Sequence, residues 1–116
     1  MSVYRTGLSG EEQAERYLHS RGYETVARRW RGEDGEIDLI MKDGEFIVLV
    51  EVKFRPSGRS GDGLKAVTPA KRRRMTHAAE AFLMEREWMN VPVRFDVVEI
   101  TRDGLNHVIN AFYAGT

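Results

Sequence analysis

The sequence predicts an α/β fold, a mixed β-sheet flanked by helices. Three stretches carry that expectation. Residues 35–54, GEIDLIMKDGEFIVLVEVKF, read as two strands around Asp43-Gly44, a strong short hairpin signal. Thr68-Pro69 opens a helix in which Met75, Ala78, Ala79, Phe82 and Leu83 recur at i, i+3, i+4, i+7 and i+8. Residues 93–101, VRFDVVEIT, read as a further strand with Phe95 and Val97 on one side and Asp96, Val98 and Ile100 mostly on the other. At 116 residues and 41% hydrophobic, the chain suits one domain with a real core, spanning 1–116.

The remaining elements follow in order. Ser9-x-x-Glu12 fits a capping box and starts a helix over about 10–20, with Gly22 as its stop. Its apolar face is Ala14, Tyr17 and Leu18. Glu11 lies on the flank of that face, turned toward the sheet; its plainer reading is a first-turn acid favoured by the helix dipole. Residues 23–30 form a first strand, with Tyr23, Thr25 and Ala27 alternating against Glu24, Val26 and Arg28. Arg28, Arg29 and Arg31 flank Trp30. Such a group can hold phosphates and stack a base, or the Trp is core and the arginines are surface. Residues 31–35 make a turn.

Residues 55–67, RPSGRSGDGLKAV, have the composition of a mobile loop that begins just beyond Lys53. It reads either as a functional loop that orders on substrate or as a plain connector. In the following helix Lys71 lies one turn before Met75 on the same side, and Arg72, Arg73 and Arg74 surround the first turn. Those arginines are a solvated face or a phosphate grip. Asn90-Val91-Pro92 ends the helical region, and residues 105–113 form a last strand. Trp88-Met89 offers a homodimer contact or, more simply, core packing. His19, His77 and His107 are scattered and suggest nothing.

Composition narrows the chemistry. There are no cysteines, hence no disulfide framework, no thiolate zinc site and no thiol nucleophile. Residues 1–12 lack the apolar core of a signal peptide, and no run approaches a membrane span, so the expected location is the cytoplasm. A net charge of zero hides an asymmetry. Residues 1–52 carry 7 basic and 11 acidic side chains, 53–74 carry 8 and 1, and 75–116 carry 3 and 6. A basic segment beside a carboxylate cluster suits a polyanion guided onto a metal site.

The hairpin holds that cluster. Along its second strand Phe46, Val48, Val50, Val52 and Phe54 share one face, and Ile47, Leu49, Glu51 and Lys53 share the other. The second face begins apolar and then turns to a carboxylate and an ammonium. Burying such charges without a partner costs several kcal/mol, on the order of a small domain's whole stability. On the first strand Ile37, Leu39 and Met41 are expected on the core side, which leaves Asp38 beside Glu51. Two carboxylates and a lysine are the parts of a Mg²⁺-dependent phosphodiesterase, because Mg²⁺ takes one or two carboxylates with water and substrate phosphate. Mn²⁺ accepts the same ligands. The competing explanation is an ordinary strand-end ion pair between Glu51 and Lys53.

The order helix, three strands, helix, strand, with Ile37-Asp38 followed after twelve residues by Glu51-Val52-Lys53, resembles the PD-(D/E)XK nuclease superfamily of restriction enzymes and archaeal Holliday-junction resolvases. Gly10-Glu11-x-x-Ala14, Trp30-Arg31, Gly35-Glu36-Ile37-Asp38-Leu39-Ile40, Val50-Glu51-Val52-Lys53-x-Arg55, Val67-Thr68-x-x-Lys71 and Arg94-Phe95-Asp96-Val97 are similar to the bacterial YraN family within it. The resemblance covers nearly the whole chain. It implies a restriction-endonuclease-like core, Asp38 and Glu51 as metal ligands, Lys53 as a catalytic residue, and Glu11 as an assisting acid. It also implies nucleic acid, DNA foremost, as the partner. Arg55 and Lys71 become phosphate contacts, with Arg31, Arg72 and Arg73 as further basic contacts. Three positions depart from the pattern: Ile37 replaces the nominal proline, Arg29 stands where the family has asparagine, and Ser60 stands where an aromatic is expected. A non-cutting nucleic-acid-binding module of the same fold, or a structural or interaction protein, are the rival expectations.

Overall fold

The structure is a computed structural model that describes residues 9–33 and 35–114. Asp34, part of the expected turn, and residues 1–8 of the N-terminal stretch lie outside the described residues. The elements run α1 (Gly10–Ser20), β1 (Glu24–Arg31), β2 (Glu36–Asp43), β3 (Phe46–Arg55), α2 (Asp62–Lys65), α3 (Pro69–Arg86), β4 (Val93–Thr101) and β5 (Gly104–Phe112). Five strands form one mixed sheet in the order β1-β2-β3-β4-β5. Only β3 and β4 pair in parallel, joined by the connection that contains α3; the other pairs are antiparallel. This arrangement is compatible with a restriction-endonuclease-like core. No helix among the described residues is long and apolar enough to cross a membrane.

Local chemistry explains the helices. Ser9 caps α1 by accepting the Glu12 N–H at 3.1 Å, while the Glu12 carboxylate accepts the Ser9 N–H at 3.1 Å. Thr68 caps α3 through the Lys71 N–H, with Pro69 in the first turn. α3 ends at Arg86, earlier than Asn90-Val91-Pro92, because Glu87 takes a left-handed cap conformation at φ +58°.

Two apolar clusters lie on opposite faces of the sheet. Met75, Ala78, Ala79 and Phe82 of α3 pack on Ile37, Ile40, Ile47, Leu49, Phe95 and Val97. Ala14 and Leu18 of α1 pack with Tyr23 on Leu39, Met41, Val48, Val50 and Val98. Phe46 and Phe54, near the ends of strand β3, are exposed, while from Ile47 to Val50 the strand alternates as expected, with both faces buried there.

Strand β2 does not. Ile37 joins the α3 cluster while Leu39 and Met41 join the α1 cluster, so the three do not share one face. The break falls at Asp38. A second irregularity, between Thr25 and Ala27, spoils the expected alternation in β1, and both Val26 and Ala27 pack toward the α3 cluster. Trp30 is half-buried and packs on the α3 cluster, its ring meeting Phe82 edge-on at 5.5 Å. Trp88 also packs on the core, edge-on to Phe82, while its neighbour Met89 is exposed.

Residues 55–67 are more structured than a free loop. They contain the helical turn α2, and Glu99 of β4 holds them from below. Its carboxylate accepts the Gly61 N–H at 2.6 Å, the Gly63 N–H at 3.0 Å and the Ser60 hydroxyl at 3.3 Å.

Candidate active site

The site forms where the sheet forks. The β2–β3 ladder ends at Leu39 and Val50. Before that point β2 stays paired with β1, through Ile37–Trp30 and Glu36–Arg31. Beyond it β3 stays paired with β4, through Glu51–Val97 to Arg55–Thr101. Asp38 and Glu51 therefore stand on the two prongs of an opening. The Asp38 carboxylate fills part of the gap by accepting the Val52 N–H at 2.7 Å, a donor left free when the ladder stops.

The two acids are in hydrogen-bonding contact, and their charge states diverge. Burial pushes the Asp38 carboxyl up, and the hydrogen bond with Glu51 and the Glu51 charge push it further, to about 8. Burial opposes ionisation of Glu51 too. There the hydrogen bond from Asp38 and the charges of Lys71 and Lys53 outweigh it and hold the carboxyl below its ordinary range. The two carboxyls therefore titrate as a pair, with Asp38 held on the high side and Glu51 on the low side.

Glu51 is buried, its side chain 5% exposed. Lys71 Nζ lies 3.0 Å from its Oε2 and Lys53 Nζ lies 3.8 Å away. No contact to Oε2 meets strict hydrogen-bond geometry among the described residues, so this buried oxygen is balanced by ammonium charge, that of Lys71 foremost. These features fit a divalent cation. Mg²⁺ needs hard oxygens and is commonly held by two carboxylates with water and phosphate completing the octahedron. Such a cation would also offset the burial and the Glu51 charge that disfavour ionisation of Asp38. No group of three or more carboxylate or imidazole side chains converges among the described residues.

Glu11, the expected helper, is near but engaged. It lines a cleft of about 420 Å³ together with Asp38, Arg28 and Arg29, and its Oε2 accepts from Arg29 Nε at 2.6 Å. Of the expected phosphate contacts, Lys71 is at the site, whereas Arg55 is exposed and lines a separate open cavity with Lys65 and Asp62. Arg31, 79% exposed, pairs with Glu36 at 2.8 Å. Arg72 Nε donates to the Val67 carbonyl at 3.1 Å, and its guanidinium lies over the Phe112 ring. Arg73 is exposed.

Sequence reasoning missed two buried polar groups. One is Glu99, the loop anchor beside Lys53 in the β3–β4 register. The other is a chain on the opposite sheet face. Asp96 accepts from His107 Nε2 at 2.7 Å, from Arg94 and from the Asn110 N–H, while Tyr17 meets the second His107 nitrogen at 3.2 Å. Arg94 continues it to Asp43 and Tyr23. A lone acid inside an apolar run, as at Asp96 and Glu99, was the available signal, and Arg94 lies one strand period from Asp96; the other main partners, His107 for Asp96 and residues 60–63 for Glu99, lie too far along the chain for periodicity to reveal.

Fold and site together define a small α/β protein with a carboxylate pair and two lysines at a sheet fork. The description "Uncharacterised protein family UPF0102" belongs to the family profile that matches residues 10–100. The chain is 40% identical to a UPF0102 protein of Pseudomonas fluorescens over 114 residues, 96% of this chain and 95% of that protein. It is 41% identical to one of Klebsiella pneumoniae over 110 residues, 93% and 86% of the two chains. A UPF0102 protein of Caldicellulosiruptor saccharolyticus is 40% identical over 110 residues, 95% and 93% of the two. The chain belongs to the UPF0102 family.

Proposed function

We propose that this protein is a Mg²⁺- or Mn²⁺-dependent nuclease of the PD-(D/E)XK type that hydrolyses phosphodiester bonds in DNA. The observation that carries the reading is the forked opening, which holds Asp38 against Glu51 beside Lys53 and Lys71. The motif resemblance to the YraN family supports it independently.

In this reading Asp38 and Glu51 hold the ion. Bound there, it lowers the pKa of a coordinated water and offsets charge gathering on the phosphate. The Val52 N–H fixes the Asp38 rotamer at 2.7 Å, so one ligand is preorganised. Lys53, on the same strand face as Glu51, orients the attacking water. Lys71, delivered by the first turn of α3, faces the scissile phosphate. Arg55, Arg73 and the basic segment around them grip the backbone on either side.

One observation favours a second reading, a nucleic-acid-binding module that does not cut: Glu51 already has two ammonium groups within 4 Å and so has a charge balance without any ion. The test is a panel of duplex, single-stranded, flap and four-way-junction DNA, with an RNA counterpart, incubated with Mg²⁺, Mn²⁺ or EDTA. The nuclease reading expects product with either metal and none with EDTA. Binding without product on every substrate would overturn it in favour of the second reading.

A further inference from the structure

Arg29 of β1 has φ +47°, in the left-handed region that glycine and asparagine enter readily and arginine does not. Successive strand residues should point to opposite faces. Yet Arg28 and Arg29 both reach α1: Arg28 pairs with Glu15 at 2.8 Å and Arg29 with Glu11 at 2.6 Å. The left-handed residue breaks the alternation and turns the second guanidinium toward the helix. What it reaches is Glu11, which lines a cleft with Asp38 together with Glu12 and Glu15 and whose charge acts on the Asp38 carboxyl. A cation thus already occupies an α1 acid that bears on the candidate site.

We propose that Arg29 is a positioning residue that restrains Glu11 and thereby sets the affinity of the Asp38–Glu51 site for divalent cations. The proposal rests on the reading of that pair as a cation site. A guanidinium on Glu11 competes with a metal ion for the same carboxylate and adds like charge to the cleft. Releasing Glu11 supplies a third oxygen ligand and tightens the site. Because a guanidinium grips phosphate oxygens as well as it grips a carboxylate, an incoming nucleic-acid backbone is the natural competitor for Arg29. Metal and polyanion binding then help one another, by the same factor in each direction.

The test is calorimetric titration of Mn²⁺ into the full chain, at fixed pH and ionic strength. It compares wild type, Arg29→Asn, Glu11→Gln, the double variant and Glu51→Gln. Asparagine accepts the positive φ, and Arg29→Gly is a second variant for which the backbone is equally permissive. Thermal unfolding without metal checks that each is folded. Arg29→Asn should bind Mn²⁺ about fivefold more tightly, the size of effect an exposed ion pair supports. The gain should disappear when Glu11 is glutamine. An Arg29→Asn affinity no tighter than wild type overturns the proposal, and so does a gain that persists without Glu11, which marks a general charge effect. If wild type and Arg29→Asn bind Mn²⁺ no better than Glu51→Gln, the carboxylate-pair reading itself falls and the proposal falls with it.

Discussion

Lys71 supports Glu51 more closely than Lys53 does, at 3.0 Å against 3.8 Å. Lys71→Met should leave a buried carboxylate under-compensated. We expect a loss of about 2 kcal/mol in metal-free urea unfolding, below the value for a fully buried pair because Lys71 retains solvent contact. Adding Glu51→Gln should recover most of it, and a double-mutant cycle measures the coupling. A second residue-scale prediction concerns acid. Burial opposes ionisation of Asp96, but His107, Arg94 and the Asn110 N–H outweigh it and hold the carboxyl low. Burial opposes Glu99 too, and the Gly61 N–H, Asn106, the Gly63 N–H and Ser60 hold it low. Both folded-state pKa values lie below their ordinary 3.8 and 4.5, so their stabilisation is present above those values and is lost as pH falls. Unfolding followed from neutral pH into acid should therefore show a declining limb below about pH 4.5, and Glu99→Gln should make it shallower. The sequence made Glu51 and Lys53 legible because a two-residue period places charge on a face that is otherwise apolar; Asp38 was expected beside them, although the alternation that suggested it breaks at that residue. Helical spacing did the same for Lys71. Glu11 was legible as an acid beside the site, but its capture by Arg29 was not, since that depends on one unusual φ.

At the scale of elements, the bounds of α1 and β4 and the positions of the other main elements could be read from caps, turns and periodicity. Gly44, at φ +59° in the first of two hairpin positions, is where a primed turn places glycine. What could not be read is the fork. It depends on where pairing stops, at Leu39 and Val50, and on the side switch at Asp38, neither of which leaves a periodic signal. The loop over 55–67 was misjudged for a related reason: composition says turn-forming, while its anchor, Glu99, is 36 or more residues away. Gly63 shows how tight that anchorage is. A Cβ there would stand 2.8 Å from Lys53 Cβ and 2.9 Å from Glu99 Oε2. Gly63→Ala should therefore displace α2 and destabilise the protein by about 1–3 kcal/mol. Limited proteolysis should then cut within 55–66 faster than in wild type; unchanged cleavage and unchanged thermal stability would show that the loop yields without loss.

At the scale of the molecule, a neutral chain concentrates positive charge in residues 53–74, which run from the end of β3 through α2 to the first turn of α3. Lys53 and Lys71 stand at the fork and Arg55 and Arg73 are exposed, so on the nuclease reading DNA affinity should fall steeply with added salt, in proportion to the phosphates contacted. Arg73→Gln, at an exposed position, should lower the slope of log affinity against log salt by about 1 while leaving metal binding intact. Whether the carboxylate–lysine fork performs hydrolysis is decided by measuring cleavage and binding on the same DNA substrate with Mg²⁺ for wild type, Glu51→Gln and Lys53→Met. Wild type should yield product, both variants should still bind the DNA, and neither should yield product above the EDTA control. Variants that cut as fast as wild type, or a wild type that binds every substrate and cuts none, would contradict the nuclease reading.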